Sequence, residues 1–232
     1  MIGITFSVGR WATAPLLLII AMTACSHGTR KTAPPSPQSD ARAEGENAAI
    51  AKARADSARY PYTAADIHFM SAMIGHHAQA IAIAEWAPTH DANPSIRLLA
   101  ERIINGQQDE IAMMQRWLRV RRQPVPDART IGMKMMMNGV EHAMSMPGML
   151  TEDQMKQLEK ARGKEFDRLF LSMMIQHHRG AVSMVNELFS SYGAGLDDTV
   201  FKFASDVNVD QSTEIERMRK MLAALTLGIQ LQ

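Results

Sequence analysis

The chain has 232 residues, enough for one large domain or two small ones with a buried core. Its 25 basic and 24 acidic residues nearly cancel, which removes any electrostatic case for a nucleic-acid partner. Methionine is unusually frequent, at 19 residues, whereas Cys25 is the only cysteine, so disulfides and multi-thiolate metal sites are excluded.

The N-terminus reads as a targeting segment. Arg10 supplies a positive flank, Leu16 to Met22 an apolar stretch, and Thr23-Ala24-Cys25 a small-residue end. That stretch is far shorter than the ~20 residues of a membrane-spanning helix. Small residues running into a cysteine resemble the lipobox of bacterial lipoproteins, although Met22 stands where leucine is usual. The resemblance implies a signal peptide over 1–24, lipidation of Cys25, and an exported protein anchored at the bacterial membrane, facing the periplasm or the cell exterior. Residues 25–61 are rich in Pro, Ser, Ala and charge, including Ala33-Pro34-Pro35-Ser36-Pro37. Such a composition cannot bury enough apolar surface to order itself and predicts a disordered tether.

Thr63-Ala64-Ala65-Asp66 is a capping-box start, predicting a helix from Ala64 to Ala87 that stops at Pro88. Asn93-Pro94 opens a second helix to about Val120, closed by Pro124 and Pro126. A connector spans Arg121 to Leu150. A second capping box at Thr151-Glu152-Asp153-Gln154 predicts a third helix to about Ser190, ending near Gly193 and Gly195. The fourth runs from about Leu196 to Leu225. No stretch alternates apolar and polar residues as a half-buried strand does.

The chain repeats itself. Asp66, Phe69, Met73, Ile74, His76 and His77 match Asp167, Phe170, Met174, Ile175, His177 and His178 in the same order and at the same spacing. Downstream, Gln107, Glu110, Ile111, Met114 and Leu118 match Gln211, Glu214, Ile215, Met218 and Leu222. A single hairpin cannot cover its own apolar face, so the expected fold is all-α, a four-helix bundle of two repeated hairpins. The four-helix domain covers 62–228, with repeat one over 62–120, a Met-rich connector over 121–150 and repeat two over 151–228.

In each copy a methionine, Met73 or Met174, stands three and four residues before the histidine pair, placing thioether and imidazole on neighbouring helical positions. Methionine at helical spacing also serves as core filler, so recurrence rather than presence gives this unit its weight. The connector is more pointed: Met133, Met135, Met136, Met137, Met144, Met146 and Met149 flank Glu141-His142 among Gly132, Gly139 and Gly148. That glycine-broken segment is poorly suited to continuous core. Clustered thioethers with a histidine are soft ligands and favour Cu(I); a sticky partner-binding surface is the rival explanation. In di-iron bundles Glu-x-x-His supplies the ligands. Met73 and Met174 occupy the place of that glutamate, which argues against an oxidase and leaves Glu110 and Glu214 to orient histidines.

Asp-x-x-Phe…Met-Ile-x-His-His, doubled, with Gln-x-x-Glu-Ile-x-x-Met in each copy and Met146-Pro147-Gly148-Met149 between them, resembles the bacterial family called domain of unknown function 305 (DUF305). The resemblance covers about Tyr62 to Leu225. It implies a ferritin-like helical fold, export and, for some relatives, periplasmic copper binding and copper tolerance. Carried over by position, it points to His76, His77, His177 and His178 and to connector methionines. Gly75 and Gln176 differ between the copies, so the two histidine sites need not be equivalent.

The expected function is therefore sequestration or transfer of copper. Connector residues Met135, Met137, Met144, Met146 and Met149 would take Cu(I). His142 and the paired histidines would be able to hold Cu(II), and Met73 and Met174 are further candidate metal ligands. Expected partners are copper ions, the membrane through the lipid anchor, and a copper-accepting or copper-donating protein, with no nucleic acid. The alternatives are a ferritin-like Fe/Mn oxidase using Glu110 and Glu214, or a non-metal interaction module. Enzymatic activity is left open by the sequence, though no Ser/His/Asp or phosphate-loop pattern is present.

Overall fold

The computed structural model describes residues 44–52, 55, 61–137, 140–144 and 146–230, with side chains described outside 133–144. The signal peptide, Cys25 and most of the tether lie outside the described residues; 44–52 are helical. Four long helices dominate: α1 (Ala64–Ala84), α2 (Pro94–Val120), α4 (Gly163–Ser190) and α5 (Asp198–Thr226). A short 3₁₀ turn, Ala87–Thr89, links α1 to α2, and a short helix α3 (Glu152–Lys160) precedes α4. The fold is all-α but for one hairpin in the connector, β1 (Met133–Met137) with β2 (Val140–Met144). No helix among the described residues is long and apolar enough to cross a membrane.

Both capping boxes are formed. Thr63 Oγ1 accepts from Asp66 N–H while the Asp66 carboxylate accepts from Thr63 N–H at 2.6 Å. Thr151 and Gln154 do the same ahead of α3. Asn93 caps α2, with Pro94 at its first position where no amide donor is needed.

Three expectations are corrected. The first helix ends at Ala84 rather than Ala87, because Pro88 has no N–H to donate to Ala84 O and its ring crowds that carbonyl, and the chain tightens into the 3₁₀ turn. The predicted third helix is two: Ala161 and Arg162 are extended, and Gly163 turns the chain at φ +56°, a region glycine occupies without Cβ strain. Its N–H donates to His90 O at 2.9 Å, so the break is held by the other hairpin. The connector, expected to be strandless, holds the antiparallel hairpin. Its methionine run, Met133-Lys134-Met135-Met136-Met137, carries no two-residue alternation of apolar and polar side chains from which a strand could be read.

α1 pairs with α2 and α4 with α5, and the two hairpins meet through α1 and α4. Helix α1 is buried on most of its circumference, as a central helix must be. Each repeat aspartate clamps the opposite hairpin: Asp66 Oδ1 accepts from Gly195 N–H at 2.7 Å, and Asp167 Oδ1 from Asn93 N–H at 3.0 Å. Two apolar clusters result. One gathers Ile83, Ile96, Leu99, Leu158, Phe166 and Phe170. The other gathers Phe69, Met114, Trp117, Leu118, Val185 and Phe203. Along α1 the chain passes from the second cluster at Ile74 to the first at Ala80, and along α4 from the first at Ile175 to the second at Ala181. The histidine pairs lie in those gaps.

Candidate metal centre

All four paired histidines are fully buried. Adjacent residues project about 100° apart on a helix, so each pair splits into an inner and an outer ring. The inner rings, His76 and His177, face each other with centroids 3.9 Å apart. The outer rings turn to the second helix of their own hairpin. His77 Nε2 lies 2.6 Å from Glu110 Oε2, and His178 Nε2 2.7 Å from Glu214 Oε2. The repeat is thus reproduced in side-chain geometry.

Carboxylate and carbonyl oxygens only accept, so each bonded Nε2 carries a hydrogen. That holds for His77 on Glu110, His178 on Glu214 and His76 on Pro147 O at 3.0 Å. In the neutral rings Nδ1 is left as a bare lone pair. Nδ1 of His76, His77 and His178, both nitrogens of His177, and Oε1 of Gln107 and Gln211 have no hydrogen-bond partner among the described residues. Seven of the eight buried side-chain atoms in that condition belong to this one layer. At about 1–3 kcal/mol for each orphaned group, the total rivals the roughly 5–15 kcal/mol stability of a domain. Core filling does not account for such a concentration of acceptors.

Burial pushes the His76 pKa down to about 3, reinforced by His77 and His178 and opposed by the bond to Pro147. His177 is held well below the ordinary histidine value, first by burial and then by the surrounding imidazoles. The inner rings are therefore neutral and available as donors at physiological pH. On the outer side, Gln107, Glu110, Asp210, Gln211 and Glu214 line one groove. Burial, then Glu110, Asp206 and Glu214, raises the Asp210 pKa.

Met73 and Met174 are fully buried beside the histidines in sequence. The connector is seated on the same layer by a reciprocal pair of contacts. A Cβ on Gly75 would meet Gly132 O at 2.1 Å, and one on Gly180 would meet Pro147 O at 1.9 Å. Only glycine permits either approach. Gln79, the repeat mate of Gly180, holds Leu150 through both its backbone groups at 2.7 and 3.0 Å. Gln176, the mate of Gly75, bonds the carbonyls of Gly148 and Met149 at 3.4 Å. The exchange of Gly and Gln between copies, visible in the sequence as a mismatch, is what lets one connector cross both helices.

Met146 is buried and Met149 half-buried, both packed with the second apolar cluster. For Met135, Met137, His142 and Met144 only the backbone is described: the register pairs Met135 with His142 and Met133 with Met144. Their side chains, like Cys25, lie outside the described residues. Among the described residues no three His, Asp or Glu side chains converge to hold one ion. The four histidines form two half-sites about a facing, tilted pair rather than a dinuclear carboxylate cage. His90, by contrast, is engaged at both nitrogens, by Thr89 and by Glu159 O, and serves packing.

The family model for DUF305, a domain of unknown function, matches residues 66–222. Among solved structures, a DUF305 protein from Streptomyces coelicolor, described as secreted, is 27% identical with a TM-score of 0.57 over 72% of this chain and 96% of its own. CopM in a Cu(II)-bound form is 30% identical, with a TM-score of 0.51 over 68% and 95%. The Cu(I)-bound form of CopM is 29% identical, with a TM-score of 0.50 over 67% and 94%. A comparison with functionally curated proteins finds no match.

Proposed function

Because the chain belongs to the DUF305 family, we propose that it is an exported copper-binding protein that sequesters or hands on copper through histidine and methionine ligands. One observation carries the proposal: a buried layer rich in lone pairs whose ring hydrogens, on three of four histidines, are already committed to oxygen acceptors. A buried set of acceptors in which only His177 keeps an uncommitted ring N–H asks for an electrophile, and a metal ion is the electrophile that imidazole nitrogens suit. The fully buried thioethers of Met73 and Met174 on the same helices favour a soft ion, and copper accompanies this fold in CopM. Glu110 and Glu214 orient the outer rings from behind, the usual role of a carboxylate on a ligating histidine.

Connector residues Met135, Met137, Met144, Met146 and Met149, with His142, would form the more open ligand set next to this layer. Lipidation at Cys25 would hold the protein at the membrane, with the segment to residue 61 as its tether. The Fe/Mn oxidase is disfavoured, since its carboxylates would have to converge, whereas Glu110 and Glu214 are each taken up by a separate histidine.

The test is a competition titration of the purified protein with Cu(I), Cu(II), Fe(II), Mn(II) and Zn(II) in parallel. Cu(I) binding that resists a chromophoric chelator is expected. Two irons or manganeses per chain would establish the oxidase instead, and no metal uptake would leave an interaction module.

A further inference from the structure

We infer that a groove between α1 and α4, beside the layer of paired histidines, is a distinct Cu(I) subsite in which His68 and Met184 join Met146 of the connector as donors; this rests on the copper-binding reading above. The groove has a volume of about 240 Å³ and is lined by these three side chains, with Glu187 also on its wall. Met146 and Met184 are only 7% and 6% exposed, whereas His68 is exposed.

The pseudo-two-fold repeat supplies an internal control. In the register that relates Asp66 to Asp167, His68 corresponds to Leu169, Met184 to Ile83, and Ala65 to Phe166. Leu169, Ile83 and Phe166 are all buried in one apolar cluster, together with Leu150 and with Leu158 of α3. On that side the same helix positions do structural work with aliphatic and aromatic side chains, and the surface is closed. On the groove side the larger ring is replaced by alanine, which opens space, and the aliphatic positions become an imidazole and a thioether. Packing demands did not require those donors, because the mate position is filled without them.

Two thioethers and an imidazole form a soft, low-charge donor set, which favours Cu(I) over harder divalent ions. Glu187 adds a negative charge that attracts a cation without belonging to the soft set. Met146 is bonded to Pro147, which lines the same groove and whose carbonyl accepts from His76 Nε2. The groove therefore abuts the histidine layer and is placed to pass an ion to it.

The experiment uses the full-length protein carrying [methyl-¹³C]methionine, titrated with Cu(I) under a competing chelator and with Ag(I) as a redox-inert probe. Met184→Leu keeps the shape of the core, and His68→Ala alters only an exposed side chain. The expected result is that the Met146 and Met184 methyl resonances shift with Ag(I). Each variant should lose one Cu(I) equivalent or bind it at least about tenfold more weakly, with Cu(II) uptake unchanged. Unchanged Cu(I) stoichiometry and affinity in both variants of a protein that binds copper would overturn the subsite alone. Failure of the unmodified protein to bind copper would overturn the copper reading, and the subsite with it.

Discussion

Two fully buried imidazoles whose centroids lie 3.9 Å apart cannot both be charged, and this sets how the metal-free protein responds to acid. His76 titrates at about 3 in the folded state against 6.5 when exposed, and His177 shifts the same way. Between those limits the unfolded chain binds more protons than the folded one, so stability is complete above about pH 6.5 and falls progressively as the pH drops toward 3. Denaturant midpoints measured from pH 7 to 4 should decline steeply, and replacing both inner histidines with asparagine should flatten that decline. A pH-independent midpoint in the unmodified protein would contradict the neutral pair. Glycine matters at the same scale. Gly180→Ala would drive a methyl group into the Pro147 carbonyl, and displacing that backbone costs on the order of 1–3 kcal/mol. The melting temperature should fall, and the His76 ring resonances should change as its acceptor moves away.

At the scale of elements, Asp66 and Asp167 do more than start helices. Asp167→Ala leaves Asn93 N–H without its charged acceptor and should cost about 1.5–3 kcal/mol. Asp66→Ala removes both the α1 cap and the Gly195 clamp and should cost roughly 2–4 kcal/mol, read by chemical denaturation. The caps were legible because they are local: Thr63 and Asp66, or Thr151 and Gln154, meet whatever the rest of the chain does. The cross-hairpin bonds of the same aspartates were not, since they join residues 129 and 74 positions apart. The break at Gly163 escaped for a related reason, as its backbone is fixed by His90 O from the other hairpin. The β1–β2 hairpin was hidden because its methionines carry no two-residue alternation.

For the whole molecule, the repeat was the informative signal, since matching hairpins must bury matching faces against one another. It announced the all-α fold and put the histidine pairs at equivalent places in the two hairpins. It could not announce the places where the two copies diverge. Gly75 and Gln176, or Gln79 and Gly180, are mismatches whose meaning appears only when the connector is laid across both helices. His68 and Met184 are likewise invisible as a set until α1 and α4 bring them to one groove. Copper that binds only the folded chain should also stabilise it, by about 2.7 kcal/mol at a free concentration one hundred times the dissociation constant. A melting temperature that does not rise with Cu(I) would argue against binding within the folded core.

The most direct test of copper held by histidine and methionine is X-ray absorption at the copper edge of the Cu(I)-loaded protein. The account predicts a mixed shell of nitrogen and sulfur neighbours, with sulfur lost progressively as Met73, Met174 and the connector methionines are changed to leucine. A shell of nitrogen and oxygen alone, unaffected by those substitutions, would contradict it.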